Sequence, residues 1–230
     1  IIRHAEPDYA MDSLTPKGRR EAAALAKRMV QVAPTHLYCS PVQRARHTCE
    51  YTEKALGRQA AIEHWTAELH ECREEHRELG PMMVWDYPGE KIRECYPMPT
   101  RDDWHLREGF TNPIFREKHE FVARSSDEFL ARHGYVRENG RYRIVNGNRD
   151  RIAVFCHGGF GLWWLSHLLE IPLPLMFAGF FMPPSSVTTV LMDERSRTWA
   201  TPRCLGVGDI SHLYATGLPM SNSGIKANCE

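Results

Sequence analysis

The sequence predicts an α/β fold: a three-layer α/β/α sandwich around a mostly parallel central sheet, with an inserted cap. Three observations carry this expectation. Short apolar runs alternate with longer stretches of helical periodicity, the pattern of strands joined by crossover helices. The run from Arg151 to Cys156 reads as a buried strand and passes directly into His157-Gly158-Gly159 and an apolar helix. The stretch from about 72 to 113 has poor periodicity and is too long for a simple loop, which marks an insertion. With 230 residues, 42% hydrophobic and 25% charged, the chain fits a single domain over 1–230 that carries this cap or lid.

Each element follows in order. Ile1-Ile2 is the tail of a buried strand that runs into Arg3-His4. Thr15 is a helix N-cap with Pro16 at the first helical position, and Ala22, Leu25, Ala26 and Met29 give that helix one core face. Thr35 to Cys39 is a short strand. Ser40-Pro41 ends it and opens a helix to about Leu56, closed by Gly57. Phe121, Val122, Phe129 and Leu130 predict a helix returning to the body. Asn139-Gly140, between Tyr135–Glu138 and Arg141–Val145, is a hairpin turn. The helix after His157 reaches about Leu169, and Ser186–Met192 and Thr198–Cys204 are two more strands.

Composition excludes several functions. Basic and acidic residues balance, 29 against 29, so a nucleic-acid coat is not expected. Mean hydropathy is −0.47. The most apolar stretch, Phe160 to Pro184, is broken by Ser166, His167, Glu170, Pro172 and Pro174, so no membrane span is expected. Seven widely spaced cysteines without a C-x-x-C predict reduced thiols in a cytoplasmic protein. The chain starts at Ile1 without a methionine, which leaves residues before it, a signal peptide included, open.

Parallel sheets bind ligands beyond the carboxyl ends of their strands. Three motifs sit there: Arg3-His4, Ser40 to Arg44, and His157-Gly158-Gly159. Singly, each is weak: a surface histidine, a solvent-facing helical arginine, a core histidine. Together, two arginines and two histidines make a phosphate pocket. Guanidinium forks hold oxygens, and glycines let backbone amides approach an anion. A neutral imidazole is a competent nucleophile at phosphorus.

These residues, with Leu14-Thr15-Pro16-Lys17-Gly18, Ala45 to Thr48, Leu69-His70-Glu71 and Gly208-Asp209-Ile210-Ser211-His212-Leu213, resemble the histidine phosphatase superfamily, in its phosphoglycerate mutase-like branch 1. The resemblance implies a phosphoric monoester hydrolase that acts on a small phosphorylated substrate without metal or cofactor. It implies His4 as the nucleophile that becomes a phosphohistidine. It implies Arg3, Arg44, His157 and Gly158 as phosphate ligands, with His157 also catalytic, and Glu71 as the proton donor. Glu68, Glu74, Glu75 and Glu78 crowd the same stretch, and most of them read as a solvated face.

Ala5 stands where the family often has glycine, and the connection from His4 to Leu14 is short, with Ala10 in it. The mutases carry an Asn and a Thr-Gly there to grip phosphoglycerate. Their absence favours hydrolysis over mutase-type phosphotransfer. A phospholigand-binding module without chemistry is the other alternative. The spacing from Cys95 to Arg101 matches a cysteine phosphatase, but two prolines strip amides from that loop. His64, His70, Cys72 and His76 match no standard metal spacing. Trp65, Trp85, Tyr87, Trp104, Phe110 and Phe115, beside Arg93, Arg101 and Arg107, either stack a substrate ring or form the cap's own core. A homodimer through the apolar C-terminal region or an edge strand is left open.

Overall fold

The computed structural model describes residues 1–77, 80–94 and 96–225. In chain order the elements are β1 (Ile2–Arg3), β2 (Pro7–Asp8), β3 (Ser13–Leu14), α1 (Pro16–Val32), β4 (His36–Cys39), α2 (Gln43–Leu56) and β5 (Ala61–Ile62). The next are β6 (Arg73–His76), β7 (Gly80–Met83), α3 (Gly89–Glu94), α4 (Pro113–Arg132), β8 (Tyr135–Glu138), β9 (Arg141–Ile144) and β10 (Ile152–Cys156). The last are α5 (Gly158–Leu169), α6 (Leu173–Gly179), β11 (Val187–Asp193), β12 (Trp199–Asp209) and α7 (Ser211–Ala215). The capping signals act as expected. Thr15 accepts the Gly18 N–H, Gly57 closes α2 at φ 64°, and Asn139 takes φ 60° in the β8–β9 turn. Helix α4 is longer than its apolar pattern suggests, because Asn112 caps it and Pro113 starts it.

Eight strands form one sheet in the order β5-β4-β10-β1-β11-β12-β9-β8. Strands β5, β4, β10 and β1 are parallel, and the half from β11 to β8 is antiparallel. The alternation along β10 shows both covered faces. Ala153 and Phe155 join Leu25, Met29, Ala45 and Cys49 of α1 and α2. Val154 and Cys156 join the larger core with Phe129, Trp163 and Met176 of α4, α5 and α6. Tyr87, Trp104, Phe110 and Phe115 are buried in that larger core with residues of α4, α5 and α6, so at these positions neither substrate stacking nor a separate core of their own is observed. Arg101 and Arg107 are taken by Glu170 and Asp103. Cys39, Cys49, Cys72, Cys156 and Cys204 are free, whereas Cys95 and Cys229 lie outside the described residues. Among the described residues no helix is long and apolar enough to cross a membrane.

The turn after β1 is anchored from several sides. His4 N–H bonds the Cys156 carbonyl at 2.9 Å, and the Ser185 N–H bonds the His4 carbonyl at 2.9 Å. Ala5 N–H reaches Thr48 Oγ1 on α2 at 2.9 Å, and Glu6 N–H reaches Glu21 Oε2 on α1 at 2.8 Å. Gly18 is obligatory here, since a Cβ would lie 2.2 Å from the Glu6 carbonyl oxygen. Ala5 keeps a negative φ, so alanine serves where glycine is common.

Glu21 is fully buried, and burial pushes its carboxyl up from 4.5 to about 7. The folded chain therefore holds a proton that the unfolded chain releases between those values. Stability falls as pH rises through this window, by roughly 3 kcal/mol in all, and stays at the lower level above it. Glu21→Gln is expected to flatten that part of the pH dependence, read as Tm against pH by calorimetry.

Candidate active site

Strands β4, β10 and β1 end side by side, and their carboxyl ends deliver Ser40, His157 and His4 to one pocket. His4 is 1% exposed. Its Nδ1 lies 2.8 Å from the Ala5 carbonyl oxygen, which can only accept, so the ring proton is on Nδ1. Nε2 is left with its lone pair, which takes the Arg44 Nε–H at 3.3 Å. His157 is fully buried, its ring centroid 5.3 Å from that of His4, and Ser40 Oγ lies 2.8 Å from its Nε2. Burial, then the charges of Arg3 and Arg44, holds His4 well below the usual histidine range. Burial, with His4 and Arg44 next, does the same to His157. Both rings are neutral.

Arg3 is buried and donates Nη1 to the Met182 carbonyl at 2.6 Å, while its Nε has no partner. His157 Nδ1 is likewise buried without a partner. Buried orphan donors of this kind mark places where a ligand completes the bonding. Gly158 lies against Arg3, where a Cβ would stand 3.0 Å from Nε, and Gly159 lies under Trp85, where a Cβ would stand 2.7 Å from the indole. A side chain at Gly159 would force the indole to move, and one at Gly158 would crowd Arg3, so glycine suits both positions at the start of α5.

The carboxylates divide differently from the spacing argument. Glu71 turns outward: its side chain is 44% exposed and paired to Lys118. Burial alone would raise its carboxyl, but the Lys118 bond and charge outweigh it and hold it low. Glu68, three residues earlier, turns inward. Its Oε1 accepts the Phe160 N–H on the first turn of α5 at 2.8 Å. Burial raises its carboxyl, although Arg44 and Arg3 are close enough to oppose the shift. The solvated face expected for this glutamate run fails at Glu68, and Glu78 lies outside the described residues.

The domain model for the histidine phosphatase superfamily (branch 1) matches residues 1–203. The chain belongs to this superfamily. Among solved structures, this histidine phosphatase is similar to a phosphoserine phosphatase mutant from Entamoeba histolytica in complex with phosphoserine, at a TM-score of 0.61 and 16% identity over 92% of this chain and 96% of that one. It is also similar to a mycobacterial glucosyl-3-phosphoglycerate phosphatase, at a TM-score of 0.56 and 18% identity over 90% and 95% of the two chains. A search of curated proteins finds no match.

Two residues at the mouth of this histidine phosphatase escaped the sequence reading. Asp12 Oδ1 accepts from Arg44 Nη1 at 2.9 Å, and His70 Nε2 lies 3.4 Å from Arg44 Nη2. Neither carries a local signal, since their partner is 32 and 26 residues away. The Gly208–Leu213 motif acts indirectly: His212 Nε2 lies 3.2 Å from Ser185 Oγ, and Ser185 holds the His4 carbonyl. Among the described residues, His36, His133 and Asp150 could together hold a metal ion, but they sit at the amino ends of β4 and β10, away from His4. Two clefts of about 250 and 530 Å³ open beside the far end of α5 and include none of His4, Arg3, Arg44 or His157.

Proposed function

We propose that this chain is a metal-independent phosphatase that hydrolyses a small phosphomonoester through a phosphohistidine on His4, in the cytoplasm. The single observation that carries the reading is the unprotonated Nε2 of a neutral, buried His4, which accepts only from Arg44 Nε and is fixed by the Ala5 carbonyl on its other nitrogen, with Arg3 and His157 beside it. The phosphoryl oxygens bind Arg3 Nε and His157 Nδ1, which lack partners, and draw N–H bonds from the Arg44 guanidinium and the Gly158 amide. When phosphate enters, the Arg44 Nε–H transfers from the lone pair of His4 to an oxygen, and the lone pair is released for attack. The new N–P bond forms as the P–O bond to the leaving group breaks.

The leaving oxygen needs a proton, and the geometry favours Glu68 over Glu71 as its source. A donor must retain its proton; burial shifts the Glu68 carboxyl in that direction, whereas the Lys118 pair shifts Glu71 the other way. The Glu68 carboxylate left behind then takes a proton from water as that water attacks the phosphohistidine, and inorganic phosphate leaves. Four cationic or hydrogen-bonding groups replace a metal. The phosphatase names of the similar structures support hydrolysis, and so does the short β2–β3 hairpin, which lacks the mutases' Asn and Thr-Gly.

Two measurements on one sample test this. Turnover of p-nitrophenyl phosphate is expected to be unchanged by EDTA. Quenching a radiolabelled reaction into alkali is expected to trap phosphate on the protein in a bond that acid then cleaves, as a phosphoramidate does. Metal-restorable loss of activity, or label stable to acid, would overturn the reading.

A further inference from the structure

Each nitrogen of Arg44 already has one partner before any ligand arrives, which leaves a second N–H on Nη1 and on Nη2. Nε donates to His4, Nη1 to Asp12, and Nη2 lies against His70. The Tyr9 ring, from the same β2–β3 hairpin as Asp12, covers the guanidinium at 5.6 Å from its centroid. The Arg44 side chain is 5% exposed and that of Asp12 is 46% exposed, so the carboxylate stands between the buried guanidinium and solvent. Asp12 is held there by backbone in the left-handed region, φ 43°, between the short strands β2 and β3.

We infer that Asp12 determines specificity and that this site prefers phosphomonoesters carrying an amino group near the phosphate, the amino alcohol phosphates, over those carrying a carboxylate. The inference rests on the phosphatase reading only in placing phosphate at Arg44. A phosphate that takes N–H bonds from Arg44 weakens the hold on Asp12 and leaves its carboxylate short of a counter-charge at the mouth. A substrate ammonium supplies that charge, whereas a second substrate anion is repelled by Asp12, which solvent screens only on its exposed side because the other side faces the buried Arg44. This is selection by a misplaced like charge as much as by attraction.

The test compares the chain with Asp12→Asn on phosphoethanolamine, glycerol 3-phosphate and 3-phosphoglycerate. Asparagine tolerates the left-handed backbone and keeps an oxygen for Arg44, so the hairpin is retained. The native chain is expected to favour phosphoethanolamine in kcat/KM. Asp12→Asn is expected to move the phosphoethanolamine to 3-phosphoglycerate ratio about tenfold toward the carboxylate, with glycerol 3-phosphate changing least. An unchanged ratio, or a native preference for 3-phosphoglycerate, would overturn the inference. If neither protein turns over any ester, the phosphatase reading fails, and the same ratio taken from calorimetric dissociation constants decides the role of Asp12. Binding of none of the three would sink both.

Discussion

Replacing His4 by alanine is expected to remove turnover, a loss of at least about 10⁴-fold in kcat. Among the described residues no other nucleophile is placed to take over: the neighbouring His157 has its Nε2 on Ser40. The substitution leaves the Ala5 carbonyl and Arg44 Nε without the ring that joined them, but the turn keeps its main-chain bonds to Cys156 and Ser185. Inorganic phosphate binding, measured by calorimetry, should therefore survive. Added imidazole should restore measurable turnover by entering the vacated space, a rescue that a merely structural role for His4 would not produce. Retention of a tenth or more of the native rate without imidazole would dismiss His4 as the nucleophile.

Glu68→Gln is expected to lower kcat on alkyl phosphates by about 10²–10³-fold. The loss on p-nitrophenyl phosphate should be much smaller, because its phenolate leaves without a proton. Glu71→Gln should change both by less than about threefold, since it removes only a half-exposed pair with Lys118. The pH profile separates a chemical role from a structural one. The acid works only while protonated, so the native rate should fall as pH rises through the raised Glu68 value, and that limb should vanish in Glu68→Gln. The neutral histidines contribute no fall on the acid side until pH is well below the usual histidine range, because both are already unprotonated. Equal losses on both esters would reassign the proton donor.

The contrast between these two glutamates shows where sequence reading stops. Strand ends, the Thr15 cap, the Asn139-Gly140 turn and the glycines after His157 are local signals, and each sits where its chemistry places it. The antiparallel half of the sheet was less legible, because a β-branched run does not state the direction of its neighbour. Glu68 precedes, and Glu71 lies within, one tight turn closed by the Cys72 N–H on the Leu69 carbonyl. Spacing within the turn treats both alike. Their directions are set by Phe160, 92 residues from Glu68, and by Lys118 on α4. The same reason hides Asp12 and His70: a charge pair across a pocket leaves no periodicity in the chain.

The anchoring of the turn after β1 has a consequence for how the chemistry comes into being. Bonds of β1 and this turn reach 43 residues from Ala5 to Thr48 and 179 residues from Arg3 to Met182, and beside them Ser40 meets His157 across 117 residues. Contacts this far apart in sequence spend the entropy of closing long loops before His4 is positioned. On the proposed mechanism, activity is a property of cooperativity, switched on with the last long-range contacts and lost with the first of them.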